Sequence, residues 1–227
     1  MIITIDGPAA AGKSTLAKGL SKSLNWIYLD SGATYRAAAL CAIENGIDLN
    51  DAEACAGLIR NASIDLDFSP DGETIVILNG RNISVEIRTD KVSEAASRIS
   101  VHPEVRSELV ALQRKIAEGK DIIAEGRDMG SIVFPHADLK IYLDAPIDER
   151  ALRRKDELKK EGASLPISEI IESIDKRDKR DMARKASPLT QTPDSVYLNN
   201  GNLRKEETLK LALKIIHDLL HLDIPRD

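Results

Sequence analysis

Cysteine, aromatic residues, long apolar runs and an excess of positive charge are all missing or scarce in this chain, and each shortage removes a class of protein. Cys41 and Cys55 are the only cysteines, with no CxxC pair and no accompanying histidine pattern. Neither a disulfide framework nor a structural zinc site is expected, and a reducing compartment is. Aromatics amount to 3% of the residues, too few to build stacking platforms for the bases of a nucleic acid. Lys and Arg total 32 against 37 Asp and Glu, a formal charge of −5, the wrong sign for a protein that gains affinity by neutralising a phosphate backbone. No apolar run approaches the roughly 18 residues of a membrane-spanning helix. The opening MIITIDGP has neither the basic start nor the apolar stretch of a secretory signal. The expectation is a cytosolic protein with no membrane and no nucleic-acid partner.

What remains is a globular chain of 227 residues, 42% hydrophobic and 30% charged, long enough to bury a sizeable core as one domain. MIITID reads as a buried β-branched strand, GPAAAG breaks it, and Leu16, Leu20 and Leu24 mark one face of the helix that follows. WIYLDSG reads as a second strand ending at Asp30, with Trp26 and Tyr28 as packing residues. Helices are expected over 34–45 and 51–62, the first stopped by Gly46. Strand, helix, strand, helix at this spacing implies a parallel sheet with right-handed crossovers. Short strands at 64–68, 74–78 and 82–85, with Asn79-Gly80 as a hairpin turn, interrupt that rhythm and read as an inserted antiparallel β/α subdomain over 62–100. Further helices are expected over 88–99 and after His102-Pro103. The sheet resumes at 121–124 and 139–143, charged helices run over 146–161 and 166–185, and a strand at 196–198 and a helix at 204–221 close the chain. Between 150 and 187, twelve Lys or Arg stand against eight Asp or Glu. That local excess suits either a solvated helix face or a segment that meets a small polyanion.

The sharpest motif is Gly7-Pro8-Ala9-Ala10-Ala11-Gly12-Lys13-Ser14, a full GxxxxGK[ST] phosphate loop between a predicted strand and a predicted helix. Glycines let successive amides turn inward onto phosphate oxygens, and the next helix aims its positive end at the same anion. Lys13 suits the β- and γ-phosphates of ATP, and the Ser14 hydroxyl suits Mg²⁺. Neither the DxxG nor the NKxD segment of a regulatory GTPase occurs. The expected fold class is therefore an α/β P-loop NTPase, a three-layer α/β/α domain with a parallel central sheet, and the expected activity is that of a small kinase.

A kinase needs an acceptor site, and two segments look built for one. Asp30-Ser31-Gly32-Ala33-Thr34-Tyr35-Arg36 and Glu125-Gly126-Arg127-Asp128-Met129-Gly130 each follow a strand and each offer a guanidinium on what reads as a glycine-softened loop. Arginine's planar fork suits phosphate oxygens, although each arginine also has a neighbouring carboxylate to pair with. Arg177, Asp181 and Arg184 share one helix face, a spacing that salt bridges alone would also explain.

With these residues in view, the chain resembles bacterial cytidylate kinases, P-loop nucleoside monophosphate kinases. The match is colinear through ITIDGPAAAGKST, LDSGATYR, EIRTDKVSEAASRIS, HPEVR, EGRDMGSIVFPHADLKIYLDA and RDKRDMARKASPL. The resemblance implies transfer of the γ-phosphoryl group of ATP to CMP or dCMP with Mg²⁺. It assigns ATP to residues 7–15 (Gly7, Pro8, Ala9, Ala10, Ala11, Gly12, Lys13, Ser14 and Thr15) and to Arg153, and the metal to Ser14. It assigns cytosine to Ser97, Arg106 and Asp128, and the sugar to Arg177 and Asp181. The acceptor phosphate falls to Arg36, Arg127 and Arg184, with Ser31 beside it. Lys13, Arg36, Arg127 and Arg184 would carry the catalysis. A carboxylate accepts from the exocyclic amine of cytosine and repels the C4 carbonyl of uracil. The resemblance also implies a helical lid over 148–166, built on Arg150, Arg153 and Arg154, and small-molecule partners only; a monomer is expected. Two departures stand out: Ala10 where the family commonly has Gly, and Glu125 where Asp is usual. The rival readings are a kinase for another small acceptor, such as UMP, AMP or a hydroxy acid, and a non-catalytic nucleotide switch.

Overall fold

The computed structural model describes residues 1–68, 74–160 and 162–222. In chain order the first elements are β1 (Ile2–Asp6), α1 (Lys13–Leu24), β2 (Ile27–Asp30), α2 (Ser31–Glu44) and α3 (Ala52–Asn61). The middle holds β3 (Ile64–Phe68), β4 (Thr74–Leu78), β5 (Arg81–Asn82), a 3-10 turn at Glu86–Arg88, α4 (Asp90–Ile99) and α5 (Pro103–Ala117). Then come β6 (Ile122–Gly126), a π-helical turn at Met129–Val133, β7 (Leu139–Asp144), α6 (Ile147–Lys160), α7 (Ile167–Met182), β8 (Val196–Asn199) and α8 (Lys205–Leu220).

Five strands form one parallel sheet in the order β2-β6-β1-β7-β8. β1 lies in the middle, and the chain winds outward from it in both directions, which opens a crevice at its carboxyl end, where the phosphate loop begins. Leu16 and Leu20 of α1 and Ala212 and Ile216 of α8 cover one face, over Ile3, Ile5, Ile141 and Leu143. Ala117 of α5, with Met129 and Val133 of the π-helical turn, covers the other, over Leu29, Ile122 and Ala124. This is the three-layer α/β/α architecture expected.

The antiparallel sheet β3-β4-β5 forms apart from the main one. It joins the body through α2, whose Ala37, Ala38 and Ala39 are fully buried in one core with Val76, Leu78, Ile83, Val92, Ala95, Ile99 and Leu109. A helix apolar on every side must be covered on every side, and here the insert supplies the outer cover. Among the described residues no helix is long and apolar enough to cross a membrane.

Three local expectations need correction. The strand expected at 82–85 is the two residues Arg81–Asn82, because the Asn82 side chain accepts from both the Ser84 amide and hydroxyl and turns the chain into the 3-10 turn. The segment after Asp30 is no loop: the Asp30 carboxylate caps the Ala33 amide at 3.0 Å, so α2 starts at Ser31. The helix expected to reach 185 stops at Met182, and the Asp181 carbonyl receives the Leu189 amide at 2.9 Å. Residues 69–73 of the proposed insert, 161 of the proposed lid and 223–227 at the end of the chain lie outside the described residues.

Candidate active site

At the carboxyl end of β1 the phosphate loop is gripped from several sides. A side chain at Gly7 would place its Cβ 2.0 Å from the Leu143 carbonyl oxygen, so glycine is required there. Asp178 of α7 accepts the Ala9 amide at 2.9 Å, and Arg150 of α6 donates to the Ala9 carbonyl at 2.9 Å while pairing with Asp178. Arg153 and Asn200 both donate to the Ala11 carbonyl, at 3.1 and 3.0 Å, and Arg153 also holds Asn200. Lys13 donates to the Pro8 carbonyl at 2.7 Å. Among the described residues no side chain caps α1, and no acid occupies its first turn, which leaves its positive end for an anion. Ser14 and Thr15 are exposed on that turn. Burial pushes the Lys13 ammonium down to about 7; the charge of Arg127 adds to the effect and Glu125 opposes it.

Beside this loop four arginines converge. Arg127 donates to Asp181 at 2.8 Å, Arg184 pairs with the other Asp181 oxygen, and Arg36 pairs with Asp30 at 2.8 Å. Arg177 has the charges of Arg127 and Arg36 as neighbours and is pushed down to about 10, first by Arg127. Burial alone would raise Asp181, but Arg127 and Arg184 reverse that and hold its carboxyl below the usual range. Arg36, Arg127, Arg177 and Arg184 thus share two carboxylates, Asp30 and Asp181, and the cluster keeps a surplus of positive charge. The helix face expected of Arg177, Asp181 and Arg184 holds only for the first two, because α7 ends at Met182 and Arg184 folds back onto Asp181 from beyond it. Salt bridging explains part of the cluster, and the surplus is what it leaves over.

Next to the cluster lies a closed polar pair. Arg106 of α5 and Asp128 are ion-paired and each side chain is 4% exposed. Arg106 also donates to the Ser100 carbonyl at 3.1 Å and lies 5.2 Å from the centre of the Tyr35 ring. Among the described residues the buried Arg106 Nε, Tyr35 hydroxyl and Arg184 Nε have no hydrogen-bond partner. Such atoms cost stability unless something outside the chain completes them. Ser97 of α4 accepts from Arg180 at 2.7 Å. Ser31 is buried, and its hydroxyl would lie 2.5 Å from any Cβ at position 126, which makes Gly126 a requirement of this approach.

The match with known proteins follows this geometry. The family model for cytidylate kinase matches residues 3–218. The chain belongs to the cytidylate kinase family. It is 43% identical over 225 residues to the cytidylate kinase of Pasteurella multocida, covering 99% of this chain and 97% of that protein. It is 44% identical over 218 residues to the cytidylate kinase of Solibacter usitatus, covering 95% and 92%. A crystal structure of an uncharacterized protein from Eubacterium ventriosum, 12% identical, covers 95% of this chain and 98% of that one with a TM-score of 0.54, a likeness of fold alone.

Both departures from the family pattern can be located. Ala10 has a φ of 57°, the left-handed region where glycine is at ease. Glu125 is buried in β6, its pKa raised by burial, and the Tyr28 hydroxyl donates to it at 2.5 Å. Tyr28, read from sequence as packing, is also a polar anchor. Asp6 is a second residue the sequence did not flag. It accepts the Met129 and Gly130 amides at 2.9 and 2.7 Å and so fixes the π-helical turn behind Arg127 and Asp128. Asp178 and Asn200 are the third and fourth, and the only advance signal for Asp178 was its place within RDKRD.

For the Mg²⁺ that the family implies, Ser14 is exposed on the first turn of α1 and close enough to the buried Glu125 carboxylate to oppose the rise in pKa that burial imposes on it. Among the described residues no group of three His, Cys, Asp or Glu side chains could hold a metal ion. One hydroxyl and one carboxylate suit a cation that takes its other ligands from substrate phosphates and water, so the residues fit the group.

Proposed function

We propose that this chain transfers the γ-phosphoryl group of ATP to CMP or dCMP, giving ADP and CDP or dCDP. The observation that carries the reading is the surplus of guanidinium charge around Asp181, next to a phosphate loop whose Lys13 is buried, with its pKa lowered by burial and by Arg127 despite Glu125 and Asp6 nearby. Two anion sites side by side at one sheet edge suit two phosphorylated substrates, and family membership supports cytosine as the acceptor base. Residues 7–15 and Arg153 hold ATP. Arg36, Arg127 and Arg184 align the acceptor phosphate, Arg177 and Asp181 hold the sugar, and Ser97, Arg106 and Asp128 contact the base, with Ser31 beside the phosphate.

The chemistry these groups supply is positioning and charge stabilisation. A phosphate monoester with a second pKa of about 6 is already largely dianionic at neutral pH, so the attacking oxygen needs no general base. Lys13 and the arginines stabilise charge as the phosphoryl group moves between oxygens. Ser14 and Glu125 would hold Mg²⁺, which when bound would supply neutralisation of the donor's phosphate charge. Residues 62–100 act as the acceptor-binding insert and 148–166 as the lid, with its first turns anchored on the phosphate loop through Arg150 and Arg153. The working form is a monomer.

ADP release across a panel of CMP, dCMP, UMP, AMP and shikimate tests the reading. CMP and dCMP are expected to be the best acceptors, and Asp128→Ala is expected to narrow the gap between CMP and UMP. Turnover with UMP or AMP but not CMP would overturn it. Nucleotide binding without transfer to any acceptor would instead favour a switch.

A further inference from the structure

Arg180 has no place in the reading above, yet it is the residue on α7 that reaches across to the insert. Its Nη1 donates to Ser97 Oγ at 2.7 Å, over 83 residues of sequence. Its neighbours in sequence take nearby partners: Lys179 on the helix pairs with Asp175, and Arg184, just past the helix end, pairs with Asp181. Among the described residues Arg180 pairs with no carboxylate. A long cationic side chain is thus ordered on a single serine hydroxyl, in a helix rich in acids.

The consequence for Ser97 is chemical. A serine hydroxyl has one hydrogen to give and two lone pairs to accept with, whereas a guanidinium can only donate. With Arg180 on one lone pair, the Ser97 hydroxyl keeps its hydrogen and one lone pair for another partner, and the adjacent positive charge makes it a stronger donor and a weaker acceptor. The Ser97 hydroxyl forms no other hydrogen bond among the described residues. Cytosine presents acceptors at O2 and N3, while uracil presents an N–H at position 3. A hydroxyl biased toward donating by the adjacent guanidinium therefore favours cytosine, and one released from that charge accepts from uracil more readily.

We infer that Arg180 is a specificity-determining positioning residue, which sets Ser97 as a hydrogen-bond donor toward the acceptor base. The inference rests on Ser97 touching that base. It assigns Arg180 no contact with substrate and no part in phosphoryl transfer.

The test compares wild type, Arg180→Met, Arg180→Lys, Ser97→Ala and the Arg180→Met/Ser97→Ala double variant, each checked for an unchanged melting temperature and assayed with CMP and UMP. Arg180→Met is expected to lower kcat/KM for CMP on the order of tenfold, almost wholly through KM, the scale of one charge-assisted hydrogen bond or coupling. UMP should lose less than about threefold, since the freed hydroxyl can turn to accept. Arg180→Lys, which keeps a charged donor on a flexible stem, should recover part of the CMP preference. In the Ser97→Ala background Arg180→Met should change nothing further. Equal losses for CMP and UMP, or the same loss with and without the Ser97 hydroxyl, would overturn the inference. If Ser97→Ala narrows the CMP preference while Arg180→Met is silent, the inference fails and the site reading stands. If Ser97→Ala leaves the preference untouched, both fail.

Discussion

The phosphate loop and the arginine cluster sit side by side at the carboxyl edge of one sheet, and they are held in opposite ways. In the loop, the Ala9 amide and the Pro8, Ala9 and Ala11 carbonyls are all engaged by side chains, from Asp178, Lys13, Arg150, Arg153 and Asn200. In the cluster, guanidinium groups outnumber carboxylates, and Arg184 Nε, Arg106 Nε and the Tyr35 hydroxyl nearby are buried without partners among the described residues. One half is finished by the fold and the other is left short of negative charge and of acceptors. The difference suggests a division of labour: the donor is received by a loop of fixed shape, and the acceptor site gains its last contacts from the nucleotide itself.

The largest expected effect comes from cutting into the unfinished half. Arg184→Ala should lower kcat on the order of 10³-fold with every acceptor, as removal of a transition-state arginine does. Asp181 keeps its bond to Arg127, so the melting temperature should move by no more than about 2 °C, the scale of one partly relieved contact. Steady-state kinetics with CMP and UMP alongside thermal unfolding would check both. A large fall in stability with modest loss of turnover would mean that the cluster is structural after all.

A cut into the finished half should act the other way. Asp178→Asn leaves the buried Arg150 without its counter-charge, and breaking such a pair costs about 3 kcal/mol or more. For a chain of this size that is a melting-temperature drop of about 10 °C. KM for ATP should rise as the loop loosens around Ala9, while KM for CMP stays within about twofold; an equal rise in both would erase the distinction between the halves.

How much of this was legible beforehand follows the range of each interaction. The phosphate loop is a contiguous motif whose chemistry is set by neighbours in sequence, and the parallel sheet follows from the alternation of strand and helix around it. The face of α7 was readable only in part: Arg177 and Asp181 do share the helix, but Arg184 lies past its end and reaches Asp181 from the segment that follows. The grip on Ala9 comes from Arg150 and Asp178, 141 and 169 residues away, and the brace on the Met129 turn comes from Asp6, 123 residues away. No periodicity encodes such contacts. The local errors have local causes. Strand propensity in NISV yielded to the Asn82 side chain, and the start of α2 was set by an Asp30 cap that also looked like the end of a strand.

The smallest effect tests whether the finished loop is finished perfectly. Ala10 holds a φ of 57°, and an L-residue there carries about 1–2 kcal/mol of steric cost that glycine escapes. Glycine has its own penalty, about 0.5–1 kcal/mol of extra chain entropy lost on folding. The Ala10 methyl also packs beside Ala9, Ala151 and Ile174, so its removal forfeits a little burial. The steric gain should still exceed these losses, and Ala10→Gly is expected to raise the melting temperature by about 2 °C. KM for ATP should stay within about twofold, because the side chain offers no polar group to the phosphates. A lower melting temperature would show that the methyl's packing under α6 and α7 outweighs the strain, and that this loop has compensated for its departure from glycine through its neighbours.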